Sequence, residues 1–263
     1  MDQMKSFSLT LVNHSKEVLI RGMIWAFIGT LYAILFVFFD VLASGWQQQV
    51  NPYFFSGVLA GTIGALIYSS MRLAVLMAMI ITPVSSLLLL LSNTSMDPFS
   101  LILVVGLTGG VIGGLYGYFS KTSRVHRADA KTLTGFSAGF LVSLGYLVIA
   151  GQTTDLPLAL VIGFMGPLTG FLYVVFVPTF IRYFDNLLPS AGDGALVGMG
   201  VSVFLALSIF IMANSINADT AGVYLPLVER VHALIPQAVL GGIIGGGLAG
   251  VVSGLFFRRW QDL

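Results

Sequence analysis

The sequence predicts an all-α, polytopic membrane protein with about eight transmembrane helices and both chain ends in the cytoplasm. Hydrophobic residues make up 57% of the 263 residues and charged residues only 9%, whereas soluble domains carry about 25% charged residues. The hydrophobic residues form repeated runs of about 20 residues, the length that crosses the hydrocarbon of a bilayer. Lysine and arginine collect in alternate connections between these runs. Most of the surface is therefore expected to face lipid.

The chain begins with a mixed segment, 1–21, which we interpret as an N-terminal cytoplasmic or interfacial segment. An amphipathic helix that docks a partner is the alternative. The first predicted span follows at about 22–43. A basic start and the small residue Ala43 are typical of a secretory signal peptide, but the apolar run is longer than the usual core of about 7–15 residues. We therefore expect an uncleaved span.

Seven further apolar runs have the length of a membrane span. The stretch 54–92 is too long for one crossing, and its only polar interruption is 69–72, so we divide it there into two helices joined by a tight turn. Residues 22–257 then form one transmembrane domain, followed by a short basic cytoplasmic tail, 258–263. The further spans lie at about 54–71, 73–92, 99–120, 132–151, 156–181, 194–214 and 236–257.

The distribution of positive charge sets the predicted orientation. With eight spans, all 12 lysine and arginine residues except Arg230 fall in segments on the cytoplasmic side. Orientation follows lysine and arginine rather than net charge, so this asymmetry supports cytoplasmic ends for the chain. The asymmetry, the small size and the short connections are typical of a bacterial inner (cytoplasmic) membrane protein, which is the location we predict.

Glycine stripes mark the even-numbered spans. In the last span glycines fall at every fourth residue, so they line one face of a helix and allow a neighbouring helix to approach closely. We interpret the chain as four helical hairpins in one orientation, each an outgoing bulky helix and a returning glycine-rich helix; independent origin of the stripes is the alternative. The predicted residues of this glycine zipper are Gly57, Gly61, Gly106, Gly110, Gly114, Gly163, Gly166, Gly170, Gly242, Gly246, Gly250 and Gly254.

Two connections have distinctive compositions. The cytoplasmic loop 121–131 is strongly basic, which is either a simple orientation signal or a contact for anionic lipid or an acidic partner. Its candidate contact residues are Lys121, Arg124, Arg127 and Lys131. The outer loop 215–235 contains a segment, 225–234, that we expect to form a short interfacial helix, with a lid or docking element as the alternative.

The sequence lacks the residues that several kinds of binding site and catalytic site require. The chain has no cysteine, and none of its three histidines lies in an apolar run. The pattern Gly245-x-Gly247-x-x-Gly250 matches the dinucleotide fingerprint but lies inside a predicted membrane helix instead of following a strand. The pattern 135–139 matches a nucleophile elbow but has no intramembrane histidine to act as base. We therefore predict no enzyme, no cofactor, no metal site and, with a net charge of +1, no nucleic-acid partner.

The polar groups of the spans give the candidate pathway. No ionisable residue lies at the middle of a predicted span; Asp40 is nearest, and we expect it to reach the outer interface. Two spans are interrupted by proline next to hydroxyl residues, which indicates either locally satisfied kinks or broken helices that line a water-filled path. Asp185 and Asp193 are expected to be solvated loop acids. The candidate pathway residues are Asp40, Thr82, Pro83, Ser85, Ser86, Pro167 and Thr169.

Two functions remain open from the sequence. The first is transport, by a permease or channel-like unit for a neutral or weakly polar solute, acting alone, as a homo-oligomer or as one subunit of a larger complex. The second is a non-transporting structural or anchoring membrane subunit of a multiprotein assembly. In both cases the expected partners are the lipid bilayer, with anionic lipid as a further candidate, and other membrane-embedded chains.

Overall fold

A computed structural model describes residues 2–43, 51–92, 98–120, 127–151, 153–184, 187–216 and 221–256. In these residues the secondary structure consists of eight α-helices and contains no strand. We call the end of the helices that the sequence predicts to face the cytoplasm the inner end, and the opposite end the outer end. The helices are α1 Asp2–Ala43, α2 Pro52–Ser69, α3 Met71–Ser92, α4 Pro98–Ser120, α5 Ala128–Ala150, α6 Leu158–Tyr183, α7 Ser190–Ile216 and α8 Ala221–Phe256.

Within the residues whose side chains the structure describes, five of the helices are long and apolar enough to cross a membrane. The candidate spans are Ser15–Leu42, Pro52–Ser69, Ala128–Ala150, Leu158–Tyr183 and Glu229–Leu255. Shorter apolar stretches lie in the other three helices, at Met71–Val84, Leu103–Phe119 and Ser190–Ala206. Several long apolar helices of this kind indicate a multi-pass membrane protein, whereas crossing by all eight helices stays a prediction.

The first and last helices are longer than the sequence indicates. α1 continues without a break from Asp2 to Ala43, so the boundary predicted at residue 21 is not a helix end. Its 42 residues extend about 63 Å at 1.5 Å per residue, roughly twice the thickness of bilayer hydrocarbon. α8 runs from Ala221 to Phe256. The segment 225–234 therefore forms the first part of the last helix and not a separate surface helix.

Short sequence signals explain several of the helix boundaries. Asn51 caps α2 by accepting the N–H of Tyr53 at 3.0 Å, and Pro52 occupies the first helical position, where its missing N–H is harmless. α2 and α3 are separated by the single residue Ser70, within the predicted turn at 69–72. α5 ends at Gly151, whose φ of 59° is a left-handed conformation that glycine adopts readily.

The helices share two hydrophobic cores. The larger core joins α1, α2, α5, α6 and α8, the helices with the five candidate spans; we call them the five-helix group. Its most deeply buried large side chains include Phe36 and Ile162. The second core joins α3, α4 and α7, which we call the three-helix group, and it adds Leu66 of α2 and Ala128 of α5.

The most extensive helix contacts join α1 with α8, α4 with α7, and α2 with α5. The hairpin neighbours α1–α2 and α5–α6 also pack side by side, but α3–α4 and α7–α8 touch only slightly. The four-hairpin arrangement of the sequence analysis therefore stays a prediction. The main neighbour of the glycine-rich α8 is α1, although α7 directly precedes it in the chain.

Glycines of α8 lie against backbone of α1 and α6. A Cβ atom at Gly246 would overlap the carbonyl oxygen of Trp25 in α1, and one at Gly250 would lie 2.6 Å from the carbonyl oxygen of Arg21. On the adjacent face, a Cβ atom at Gly245 would overlap the carbonyl oxygen of Gly163 in α6. α8 is therefore held between α1 and α6 at distances that leave no room for a side chain at these positions.

The contact between α4 and α7 uses a different row of glycines from the one that the sequence analysis selected. Cβ atoms at Gly109 and Gly113 would overlap the carbonyl oxygens of Gly198 and Gly194, respectively. At Gly110, which belongs to the predicted row, a Cβ atom would make an ordinary contact of 3.5 Å with the side chain of Met199. α4 carries two interleaved glycine rows, and spacing alone does not identify the row that faces α7.

Candidate functional site

A cavity of about 240 Å³ lies within the five-helix group. Along α1 it extends from Arg21 to Tyr32, a distance of about 16 Å at 1.5 Å per residue. Gly166 and Gly170 of α6 lie against the rings of Tyr32 and Trp25, with Cβ positions 3.1 and 3.0 Å from ring carbons. The lining is mostly apolar and is Arg21, Ile24, Trp25, Ile28, Leu31, Tyr32, Ala60, Gly61, Gly64, Ala65, Tyr68, Gly135, Gly166, Thr169, Gly170, Tyr173, Val174 and Ser253.

Two buried hydroxyl groups mark the deep end of the cavity. Tyr32 and Thr169 are each 5% exposed and neighbour each other. The two hydroxyls interact with each other, and within the described part of the chain neither has another hydrogen-bond partner. A buried polar group without a partner costs about 1–3 kcal/mol, and such groups are normally satisfied by water or a ligand. Of the two, the sequence analysis named Thr169 but missed Tyr32, because one tyrosine in an apolar run carries no distinguishing signal.

Further buried hydroxyl groups continue from Tyr32 toward the outer end. A Cβ atom at Gly57 would overlap Ser143 Oγ and lie 3.4 Å from the Tyr32 hydroxyl, so both groups meet at this glycine. Ser143 is fully buried, and Tyr146 follows three residues later on α5. Among the described residues, the Ser143 hydroxyl has no hydrogen-bond partner, and the Tyr146 hydroxyl has none beyond the neighbouring side chain of Asn51. We call Tyr32, Thr169, Ser143 and Tyr146 the polar path.

Asp40 lies at the outer end of the polar path and is buried. It is 2% exposed, and its Oδ2 lies 4.0 Å from Nη2 of Arg230, whereas its Oδ1 has no hydrogen-bond partner in the described residues. Tyr53 of α2 is electrostatically coupled to both Asp40 and Arg230, and its ring lies 6.0 Å from that of Tyr146. Asp40 is buried within the protein because α8 extends beyond the predicted span and its Arg230 lies against this part of α1, while its place relative to the membrane interface stays a prediction.

At the outer end, Asn51 links the start of α2 to the connection between α5 and α6. Its side-chain amide donates to the carbonyl oxygens of Gly151 and Thr153, at 3.1 and 3.2 Å. Its Oδ1 accepts the N–H of Tyr53, and the residue is 1% exposed. These bonds fix the start of α2 to the connection between α5 and α6, so Asn51 closes this end of the five-helix group.

The other pathway candidates lie apart from the cavity or do not break their helices. Thr82 and Pro83 are exposed on α3, in the three-helix group, and the Thr82 hydroxyl donates to the carbonyl oxygen of Ala78 at 2.7 Å. The side chains of Ser85 and Ser86 lie outside the described residues. α6 runs continuously through Pro167. Neither α3 nor α6 is therefore the broken helix that was one of the two readings of the sequence.

Of the basic loop 121–131, the structure describes residues 127–131, so Lys121 and Arg124 lie outside the described residues. Arg127 donates to the carbonyl oxygen of Ile181 at the end of α6, and its Nε is buried without a hydrogen-bond partner in the described part of the chain. Lys131 is half-buried on α5. Arg127 is therefore directed toward the protein, and contact of this loop with lipid or a partner stays a prediction.

Two aspartates form a buried clamp beside Arg127, at the inner end. The Asp129 N–H donates to Asp193 Oδ1 at 3.0 Å, and Asp129 Oδ2 accepts the N–H groups of Leu187 and Leu188 at 2.6 and 3.0 Å. Asp193 is 1% exposed, so the expectation of a solvated acid is wrong for this residue; Asp185 lies outside the described residues. Burial raises the pKa of Asp193 to about 6, while the Asp129 N–H lowers it.

Comparison of the chain with known protein families, with curated proteins and with solved structures found no match. Function is therefore inferred from the cavity and from the buried polar groups that continue beyond it.

Proposed function

We propose that this protein is an integral membrane transport protein, a permease or channel-like unit for a neutral or weakly polar solute. The observation that carries the proposal is the cavity, whose deep end holds the neighbouring buried hydroxyls of Tyr32 and Thr169, which have no partner among the described residues beyond each other. Sites for small molecules are typically concave and mostly apolar, with a few polar groups that orient the ligand. The volume of about 240 Å³ far exceeds the ~10–15 Å³ that one water requires.

The scarcity of charged side chains in the cavity lining supports a solute without a full charge. Arg21 is the only charged side chain in the lining that the structure describes, and it is paired with Glu17 at 2.9 Å. A charged solute would lose its water without finding an opposite charge, which is costly. The hydroxyls of Tyr32 and Thr169 are able to donate to and accept from one carbonyl or hydroxyl group of the solute.

The polar path supports passage rather than simple storage of a ligand. The hydroxyls of Ser143 and Tyr146 offer further hydrogen-bonding positions between the cavity and the outer end. Asn51 and the pair Asp40–Arg230 then close that end. We propose that the structure represents a state closed at the outer end. The short connections and the charge asymmetry support a bacterial inner membrane as the location, where further copies or other membrane subunits are the proposed partners.

The proposal is tested by solute flux into liposomes that contain the purified full chain. Glycerol and urea are the probes, and light scattering follows the osmotic volume change. Wild-type protein should accelerate entry of at least one probe over empty liposomes. Thr169→Val and Tyr32→Phe keep the shape of each side chain but remove the hydroxyl, so each should change that rate several-fold.

Matched controls separate a path effect from a general effect of losing a hydroxyl. Thr82→Val and Tyr118→Phe make the same chemical changes at exposed positions of the three-helix group. They should leave the rate unchanged. Equal loss in the controls and the path variants would contradict the proposal. Wild-type rates equal to those of empty liposomes, with a partner that co-purifies in a fixed ratio, would favour the alternative of a non-transporting membrane subunit.

A further inference from the structure

Among the described residues, the carboxylate of Asp40 is the one buried acidic group at the outer end of the five-helix group, where Glu229 and Asp155 are exposed. Its side chain is 3% exposed, and its only ion-pair contact among the described residues is with Arg230, at 4.0 Å. The Arg230 side chain is itself 51% exposed, so water weakens its attraction for the carboxylate. The second oxygen, Oδ1, is buried and has no hydrogen-bond partner in the same set of residues.

The surroundings of Asp40 give little further compensation for its charge. Along α1 the nearby side chains of Phe36, Phe39 and Val41 are buried and apolar. The titratable and charged groups that the structure places against Asp40 are the phenol of Tyr53 from α2 and the guanidinium of Arg230 from α8. A carboxylate left in this position with one oxygen unsatisfied is costly, and ionisable groups of this kind within membrane spans usually mark proton or ion sites.

We propose that Asp40 is the binding site of a monovalent cation, either a proton or a sodium ion. The cation occupies the position beside Oδ1, and Arg230, on the solvent side of the carboxylate, competes with it. When the cation leaves to the outside, the ionised carboxylate attracts Arg230 more closely. When the cation binds, that attraction is relieved. That this cation also drives the solute is a role that rests on the transport function proposed above.

The composition of the site favours a monovalent cation over a divalent one. Within the described residues there is no group of three or more histidine, cysteine, aspartate or glutamate side chains placed to hold a metal. Calcium and magnesium are held by several oxygen ligands, usually with more than one carboxylate or with bound phosphate. The single buried carboxylate of Asp40 matches the charge of a proton or a sodium ion.

The polar path connects this site with the cavity. Tyr53, which interacts electrostatically with Asp40, packs against Tyr146 with the two rings tilted, and Ser143 and the Tyr32 hydroxyl follow toward the cavity. The Ser143 hydroxyl lacks a partner in the described part of the chain, and those of Tyr32 and Tyr146 have only one neighbouring side chain each, so water or solute at this level is placed to respond to a change of charge at Asp40. This connection is the structural reason for linking the cation to the solute.

The binding test uses the purified full chain in detergent and needs no solute. Thermal unfolding is measured in sodium chloride and in choline chloride at equal ionic strength, and infrared spectroscopy records the C=O stretch of any protonated carboxyl group. Asp40→Asn removes the negative charge with little change in shape. Asp155→Asn is the matched control, since Asp155 is an exposed acid in the connection between α5 and α6 at the same end.

A sodium site predicts a sodium-specific rise in Tm that is lost in Asp40→Asn and kept in Asp155→Asn. A proton site predicts no sodium effect and a protonated carboxyl band that is lost in Asp40→Asn alone. The absence of both signals in the wild type, or their persistence in Asp40→Asn, overturns the proposal. Failure of solute flux in liposomes leaves these outcomes unchanged, so the two proposals fail separately.

Arg230→Gln distinguishes a cation site from a purely structural ion pair. It removes the competing positive charge and leaves the carboxylate of Asp40 in place, so the cation signal should be kept or strengthened. A structural pair, in contrast, is broken equally by Arg230→Gln and Asp40→Asn, and both variants should then behave alike. Loss of the cation signal in Arg230→Gln as complete as in Asp40→Asn would therefore refute the site.

Discussion

Two single substitutions in α8, Gly246→Ala and Gly247→Ala, together test the close contact between α1 and α8. At Gly246 the new Cβ atom would overlap the carbonyl oxygen of Trp25, and it would lie 3.3 Å from the Cα atom of Ala26. At Gly247 the nearest atom is the Ala26 Cβ at 3.7 Å, which is an ordinary contact. Backbone cannot move aside as a flexible side chain does, so Gly246→Ala has to separate the two helices.

The two variants make the same chemical change, glycine to alanine, so the difference between their free energies of unfolding reports on the packing at each position. Alanine favours the helix over glycine by roughly 0.5–1 kcal/mol, but this gain is common to Gly246→Ala and Gly247→Ala and cancels between them. What remains is the cost of overpacking, typically about 1–3 kcal/mol. Gly246→Ala should therefore be less stable than Gly247→Ala by about 1–3 kcal/mol.

Reversible unfolding in mixed micelles with increasing SDS, followed by tryptophan fluorescence and circular dichroism, measures this difference. Trp25 lies at the contact itself, so its emission should also shift in Gly246→Ala. Equal stability of Gly246→Ala and Gly247→Ala, or a more stable Gly246→Ala, would refute the close approach of α8 to α1.

Three further predictions concern other parts of the fold. Gly113→Ala should lower stability in the same SDS assay, whereas Gly110→Ala should not, because a Cβ atom overlaps backbone of α7 at Gly113 but makes only ordinary contacts at Gly110; equal effects would contradict the assigned glycine row. Asp193 has a pKa raised from 3.8 to about 6, so between these pH values the folded chain holds a proton that the unfolded chain has released. Stability should therefore fall as the pH rises from about 4 to 6, and unfolding midpoints of Asp193→Asn should lose that slope; an unchanged slope would exclude Asp193 as its source. Pro83→Ala should leave glycerol flux in liposomes unchanged, because Pro83 is exposed on α3, and a reduced rate would place the path in the three-helix group.

The helical class of the fold follows directly from the sequence, while the partners of each helix do not. Apolar runs and the lack of charge predict helices, and the polar interruption at 69–72 predicts the turn that the structure has at Ser70. Helix pairing, however, depends on which face meets which neighbour. α4 carries two glycine rows with the same spacing, and only the three-dimensional contact selects the row that contains Gly113.

The candidate site was only partly predictable for a related reason. Thr169 was accessible to sequence reasoning because a hydroxyl beside proline in an apolar run is distinctive. Tyr32 and Ser143 become distinctive only when helices far apart in the chain bury their hydroxyls, that of Ser143 without a partner and that of Tyr32 with Thr169 alone. The position of Asp193 near the end of a span predicts exposure to solvent, whereas its burial depends on contact with the start of α5, which the sequence does not indicate.

The pairing of α1 with α8 has a consequence for biosynthesis. Of the helices described, α1 leaves the ribosome first and α8 last, yet the backbone around Trp25 is built to lie against Gly246. During translation the part of α1 around Trp25 and the carboxylate of Asp40 therefore lack their contacts with α8 until the six helices between α1 and α8 have been made. Assembly of the five-helix group is therefore completed only once α8 has been inserted, and nascent chains that stop before α8 should be preferred substrates for membrane quality-control proteases.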